Sequence, residues 1–144
     1  MPLRQSSIRD LRNRLVTQFP PIEPFLEEIL PRKASVMQYH FRGSYSNISI
    51  YTITGRVVLL QNRDGPLIPH LRILHKYPFM MKHMQVDRGA ISFVIRGADI
   101  MCPGLTSPGG RMVEAQAGEV VAIMAEGKQH AVALGLTLLS TGEM

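Results

Sequence analysis

The sequence predicts an α+β fold in two parts: a small N-terminal α+β domain over residues 1–80, then a compact β-barrel over residues 81–144. Three patterns carry the prediction. Apolar residues recur at helical spacing between Ser7 and Leu30, and the period changes to two between Ser35 and Arg63. From Gly97 onward, apolar runs at Glu119 to Ala125 and His130 to Leu139 are bounded by glycine or proline. The first two patterns make helices packed on antiparallel strands, and the third makes buried strands joined by glycine-rich turns.

The opening helix is expected from about Ser7 to Phe19. Ser7 and Asp10 offer a small capping box, Ile8, Leu11, Leu15 and Phe19 form one core stripe, and Arg9, Arg12 and Arg14 take other faces. Pro20-Pro21 ends it. A second helix, Ile22 to Leu30, turns Phe25, Leu26, Ile29 and Leu30 inward and Glu23, Glu27 and Glu28 outward. Ile48, Ile50 and Thr52 then alternate with Asn47, Ser49 and Tyr51, and Thr54-Gly55 supplies a tight hairpin turn before Val57 to Leu60. Asn62 to Pro66 is a turn. Pro69 suits the first turn of a short helix in which Leu71 and Leu74 pack down while Arg72, His75 and Lys76 stay at the surface. His70 and His75 are five apart and so miss the i, i+4 face of helical zinc ligands. Met80 and Met81 read as adaptable packing between the two parts.

In the second part, Asp87 to Gly97 reads as a short helix. Asp87 caps it, Ile91, Val94 and Ile95 lie at helical spacing, and Gly97 stops it. A strand holding Cys102 and a Pro-Gly turn are expected over Met101 to Gly104, with a further glycine-rich turn at Pro108-Gly109-Gly110. Cys102 then reads as a small buried hydrophobe. Glu126-Gly127-Lys128-Gln129-His130 lies between two apolar strands, either as a plain hairpin loop or as a loop presenting Lys128 and His130 to RNA.

Composition bounds the function. A 45% hydrophobic content is enough for a core, and no apolar run reaches the ~20 residues that span a bilayer. No membrane partner and a cytoplasmic location are therefore expected. The single cysteine allows neither an intramolecular disulfide nor a CxxC zinc site, and no phosphate-loop, nucleophile-elbow or metal-ligand spacing occurs, so no catalytic residue, metal or cofactor is expected. Charge is uneven: residues 1–96 hold 14 Lys and Arg against 6 Asp and Glu, whereas residues 97–144 hold 2 against 5. The basic first part has the footprint of a surface that meets phosphate.

The run of short helix, strand, Pro-Gly turn and further strands resembles a PUA domain, whose signature glycines fall here on Gly97, Pro103-Gly104, Gly118 and Gly135. Leu71 to Pro78, Gln85 to Gly89, Ile100 to Pro108 and Val121 to Ala131 narrow that likeness. In these four stretches the chain resembles the malignant-T-cell-amplified-sequence family of translation factors, from near Ser7 to its end. Members of that family begin with an extra strand-forming segment before the position of Ser6 and continue beyond that of Met144. Without those segments, an open sheet edge or some other cover for it is expected here.

The resemblance implies a PUA-type barrel that contacts tRNA near its acceptor end. It further implies a non-enzymatic factor acting with density-regulated protein, as a heterodimer, on the small ribosomal subunit. Reinitiation, tRNA release and recycling, and non-standard initiation are the roles it implies. The implied RNA-binding residues are Lys82, Arg88, Arg96, Gly97, Met101, Pro103, Gly104, Lys128 and His130. Arg63, His70, Arg72, His75 and Lys76 are the implied contacts to rRNA or the protein partner. The alternative is an RNA-targeting module of a tRNA- or rRNA-modifying enzyme.

Overall fold

Helix α1 (Gln5–Gln18) buries Ile8, Leu11 and Leu15, the stripe that the helical period marks, and Phe19 closes it by donating its N–H to Leu15 O at 2.8 Å. It begins two residues earlier than expected and has no side-chain cap, so Ser7 and Asp10 lie inside it and form no capping box. The computed structural model describes residues 1–43, 47–63 and 65–142, and the chain divides into two compact units, Met1–Met80 and Met81–Met144. Asp64, in the expected turn, lies outside the described residues.

The expected second helix is split. Residues Pro20–Phe25 form a 3₁₀ helix and only Leu26–Ile29 (α2) is α-helical. Pro24 lies inside the 3₁₀ segment, where its ring would clash with the carbonyl of Pro20 in an α-helix. Arg12 ties the segment down: its buried guanidinium donates to Leu30 O and stands 3.2 Å from Glu27 Oε2.

Strands β1 (Val36–Arg42), β2 (Asn47–Ile53), β3 (Arg56–Asn62) and β4 (Leu67–Pro69) form an antiparallel sheet in that order. Thr54 (φ 51°) and Gly55 (φ 77°) make the β2–β3 turn, both left-handed as a type I′ turn demands. Tyr51, Leu59 and Leu67 lie on the buried face against α1, where Gln18 exchanges two hydrogen bonds with the backbone of Leu67. The chain start also pairs. Leu3 N–H donates to Val36 O at 2.9 Å and Gln38 N–H to Met1 O at 2.8 Å, so residues before Ser6 already extend along β1. Pro69 ends β4 rather than opening the next helix, and His70 caps α3 (Leu71–Lys76) in its place.

In the second unit, β5 (His83–Val86) pairs in parallel with β6 (Val120–Ala125), which pairs antiparallel with β7 (Ala133–Leu136). Gln85 and Arg111 add an isolated bridge on the far side of β5. Met84, Val86, Leu105, Ala115, Val121, Ile123 and Ala125 form the core, and Ile91, Val94 and Ile100 pack against it. The Asp87 cap is as expected: its Oδ1 accepts from Ala90 N–H at 2.9 Å, a 3₁₀ turn (Arg88–Ala90) leads into α4 (Ile91–Ile95), and Gly97 ends the segment at φ 83°. The expected strand and Pro-Gly turn are instead helix α5 (Cys102–Thr106), with Pro103 in its first turn. Proline tolerates that position because the N–H it lacks has no partner there. Cys102 is accordingly half-buried at a helix start, not in a strand.

Candidate nucleic-acid interface

Parallel pairing of β5 and β6 puts the carboxyl ends of both strands side by side, since Val86 lies opposite Ala125. The turn after β5 and the loop after β6 therefore meet. Glu126 N–H donates to Val86 O at 3.0 Å, and Arg88 N–H donates to Glu126 Oε2 at 3.1 Å. The carboxylate thus locks that turn to that loop. Asp87 N–H donates to Gly104 O at 3.0 Å, which brings α5 to the same end.

Glycines allow the close approaches. A Cβ on Gly127, at φ 81°, would come within 3.2 Å of Arg88 Nη2, so the guanidinium lies across a bare backbone. Gly109, at φ 93°, passes over the Glu126 carboxylate, where a Cβ would overlap both carboxylate oxygens. Gln85 Nε2 holds that turn by donating to Gly109 O at 2.7 Å.

The structure brings Arg88, Gly104 and Lys128 to one end of the sheet, with Pro103 beside Gly104 in α5 and His130 exposed further along the same loop. Met101 precedes α5 and is 71% exposed. Arg96 and Gly97 stand at the far end of α4, about 12 Å from Arg88 at 1.5 Å per helical residue. Lys82 lies at the opposite end of β5, where its Nζ pairs with Glu119 at 3.2 Å. It is separated from Arg88 by the strand's length, about 13 Å.

Sequence reasoning missed Glu126, Gly109 and Gln85. Their signal was present in the Pro-Gly-Gly turn and in a carboxylate just before Gly-Lys, but only the parallel pairing joins them.

The first unit's candidates have other partners. His70 Nδ1 accepts from Arg72 N–H at 3.0 Å and caps α3, while Arg72 Nη2 donates to Val57 O at 2.9 Å and ties α3 to β3. Burial lowers the His70 pKa below its ordinary 6.5, helped by the charges of Arg72 and His75. Lys76 Nζ lies 5.5 Å from the centroid of Tyr77, whose hydroxyl donates to Glu28 Oε2 at 2.5 Å. Burial first, then that bond and the carboxylate charge, pushes the Tyr77 pKa up to about 12. Arg63 is exposed at φ 51° and donates its N–H to Asn47 O at 2.7 Å, and His75 is exposed in the last turn of α3. Among the described residues, no cluster of three or more His, Cys, Asp or Glu could hold a metal, and no helix is long and apolar enough to cross a membrane.

A capped short helix, a Pro-Gly segment and a glycine-lined cationic loop gathered at the carboxyl ends of two parallel strands define a PUA domain, and residues 82–144 match that family. Residues 1–78 match the Pre-PUA-like domain. The chain belongs to the malignant T-cell-amplified sequence family. It is 48% identical over 142 residues to malignant T-cell-amplified sequence 1-A of Xenopus laevis, covering 99% of this chain and 77% of that protein. It is 45% identical to malignant T-cell-amplified sequence 2 of Homo sapiens over the same shares. Among solved structures, a PUA domain protein from Aeropyrum pernix, crystallised with tartrate, superposes with a TM-score of 0.68 at 23% identity, covering 99% of this chain and 74% of that one. A PUA domain protein from Thermoplasma acidophilum gives 0.63 at 19%, covering 99% and 82%. At those identities the likeness concerns the fold alone.

Proposed function

We propose that this protein is a non-enzymatic RNA-binding translation factor of the cytoplasm. Its PUA domain holds a tRNA acceptor end at the carboxyl ends of β5 and β6. Family membership supports a role in translation. The observation that carries the RNA reading is the Arg88 guanidinium laid across Gly127 beside the exposed Lys128. A guanidinium over bare backbone with a second, exposed cation next in the chain suits a phosphate and the adjoining sugar, because no side chain on Gly127 holds the strand away. In this reading the protein works with density-regulated protein on the small ribosomal subunit, in reinitiation, tRNA release and recycling, and non-standard initiation.

The test is titration of a tRNA acceptor-end mimic against the parent and an Arg88→Gln/Lys128→Gln variant. Loss of two phosphate contacts should weaken binding about tenfold or more at low salt and flatten the salt slope by about 0.7 per contact. Equal affinity with an unchanged melting temperature would remove the site. The partner assignment is checked separately, by whether the purified protein forms a stable complex with density-regulated protein.

A further inference from the structure

A groove of about 690 Å³ runs along α1 in the first unit, and none of its lining residues belongs to the candidate RNA contacts. One wall is α1, with Gln5, Arg9, Asn13 and Thr17, and the opposite wall carries Glu23, Arg32 and Lys33. Its floor is apolar: Ile8 is buried, Val16 and Leu26 are half-buried, and the Arg12 side chain lies between them with its guanidinium already engaged by Leu30 O and Glu27. Arg9, Arg32 and Lys33 are exposed, and among the described residues none has a partner for its side-chain charge. Among the described residues these three cations share the groove's lining with one carboxylate, Glu23, while the neighbouring Glu27 carboxylate is engaged by Arg12 and by the Arg32 N–H.

We propose that this groove docks an acidic amphipathic segment of a partner protein. Apolar side chains of that segment cover Val16 and Leu26, and its carboxylates meet Arg9 on one wall and Arg32 and Lys33 on the other. A cationic rim alone would suit RNA phosphates equally. The apolar floor decides the class, because a sugar-phosphate backbone leaves it wet whereas an amphipathic helix or strand fills it. The volume lies within the range of recessed binding sites. The inference is independent of the RNA reading of the second unit.

The probe is a fluorescein-labelled helical peptide of about four turns, with leucines along one face and glutamates on the others. The full chain should bind it at least about tenfold tighter than the same peptide with glutamine in place of leucine. Arg9→Gln/Arg32→Gln/Lys33→Gln should weaken binding about tenfold. Leu26→Ala should weaken it comparably, and Val16→Thr, which swaps a methyl for a hydroxyl at equal volume, about threefold. Should Leu26→Ala fail to fold, Val16→Thr decides the floor's part. The proposal is overturned if the parent does not bind the peptide, if both peptides bind alike, or if the floor substitutions leave affinity unmoved. Displacement of the peptide by oligouridylate of matched charge, which would mark a phosphate surface, overturns it as well.

Discussion

The surroundings of α3 and the ends of β5 and β6 use basic side chains in opposite ways. Around α3, His70 caps a helix, Arg72 ties it to β3 and Lys76 sits over the Tyr77 ring. Around the ends of β5 and β6, Glu126 spends its carboxylate on a backbone N–H, which leaves the Arg88 guanidinium lying over a glycine. A basic residue in sequence is thus only a candidate for binding. Whether it binds depends on whether the fold has already used its donors.

Substitutions can break that contrast, the largest effect coming from the second unit's glycines. Gly110→Ala places a Cβ 2.6 Å from Gly104 O and Leu105 O, both backbone atoms that cannot swing away. The loss should be about 3 kcal/mol, read as the midpoint of urea unfolding. A shift under about 0.5 kcal/mol would mean that the turn does not pack on α5.

In the first unit, Tyr77→Phe removes a buried hydroxyl's bond to Glu28 and should cost about 1 kcal/mol. Ultraviolet titration sharpens this: Tyr77 should hold its proton until about pH 12, above the ordinary 10.0. Stability from this group is complete below pH 10 and is lost as pH rises through the folded value. A phenol titration with every tyrosine near pH 10 would contradict the burial. Arg72→Gln should cost about 0.5 kcal/mol, the exposed end of the usual range for one hydrogen bond.

The smallest effect is that of His70. Its folded pKa is lowered, so the unfolded chain takes up the proton first, and stability present above pH 6.5 falls as the pH drops through the folded value. His70→Asn offers a side-chain oxygen in place of Nδ1 as the capping acceptor and cannot titrate. Its stability should therefore lose that pH dependence, as denaturation at pH 7.5 and pH 5 would show.

Much of this was legible in the residues wherever the signal is local. Asp87 caps, Gly97 stops, Thr54-Gly55 turns and the Ile8-Leu11-Leu15-Phe19 stripe is core, because each depends on neighbours within a helical turn or hairpin. Proline misled three times. Pro24 permits a helix but not an α-helix, Pro69 ends a strand as readily as it starts a helix, and Pro103 serves a helix's first turn as well as a reverse turn. The site was half legible. Arg88, Gly104 and Lys128 stand out as cations and glycine, but strand β5 went unread, and without it nothing joins residue 88 to residue 126. A four-residue strand paired in parallel with one some 40 positions further on leaves no periodic trace.

An RNA contact on the second unit's strand ends, and not around α3, makes one demand above all on the salt dependence of binding. The measurement uses a tRNA acceptor-end mimic, with Arg88→Gln/Lys128→Gln set beside Arg72→Gln/Lys76→Gln. The slope should flatten by about 0.7 per contact in the first variant and stay within about 0.3 of the parent in the second. The reverse order, with the α3 variant flattened and the strand-end variant unchanged, would contradict a strand-end site.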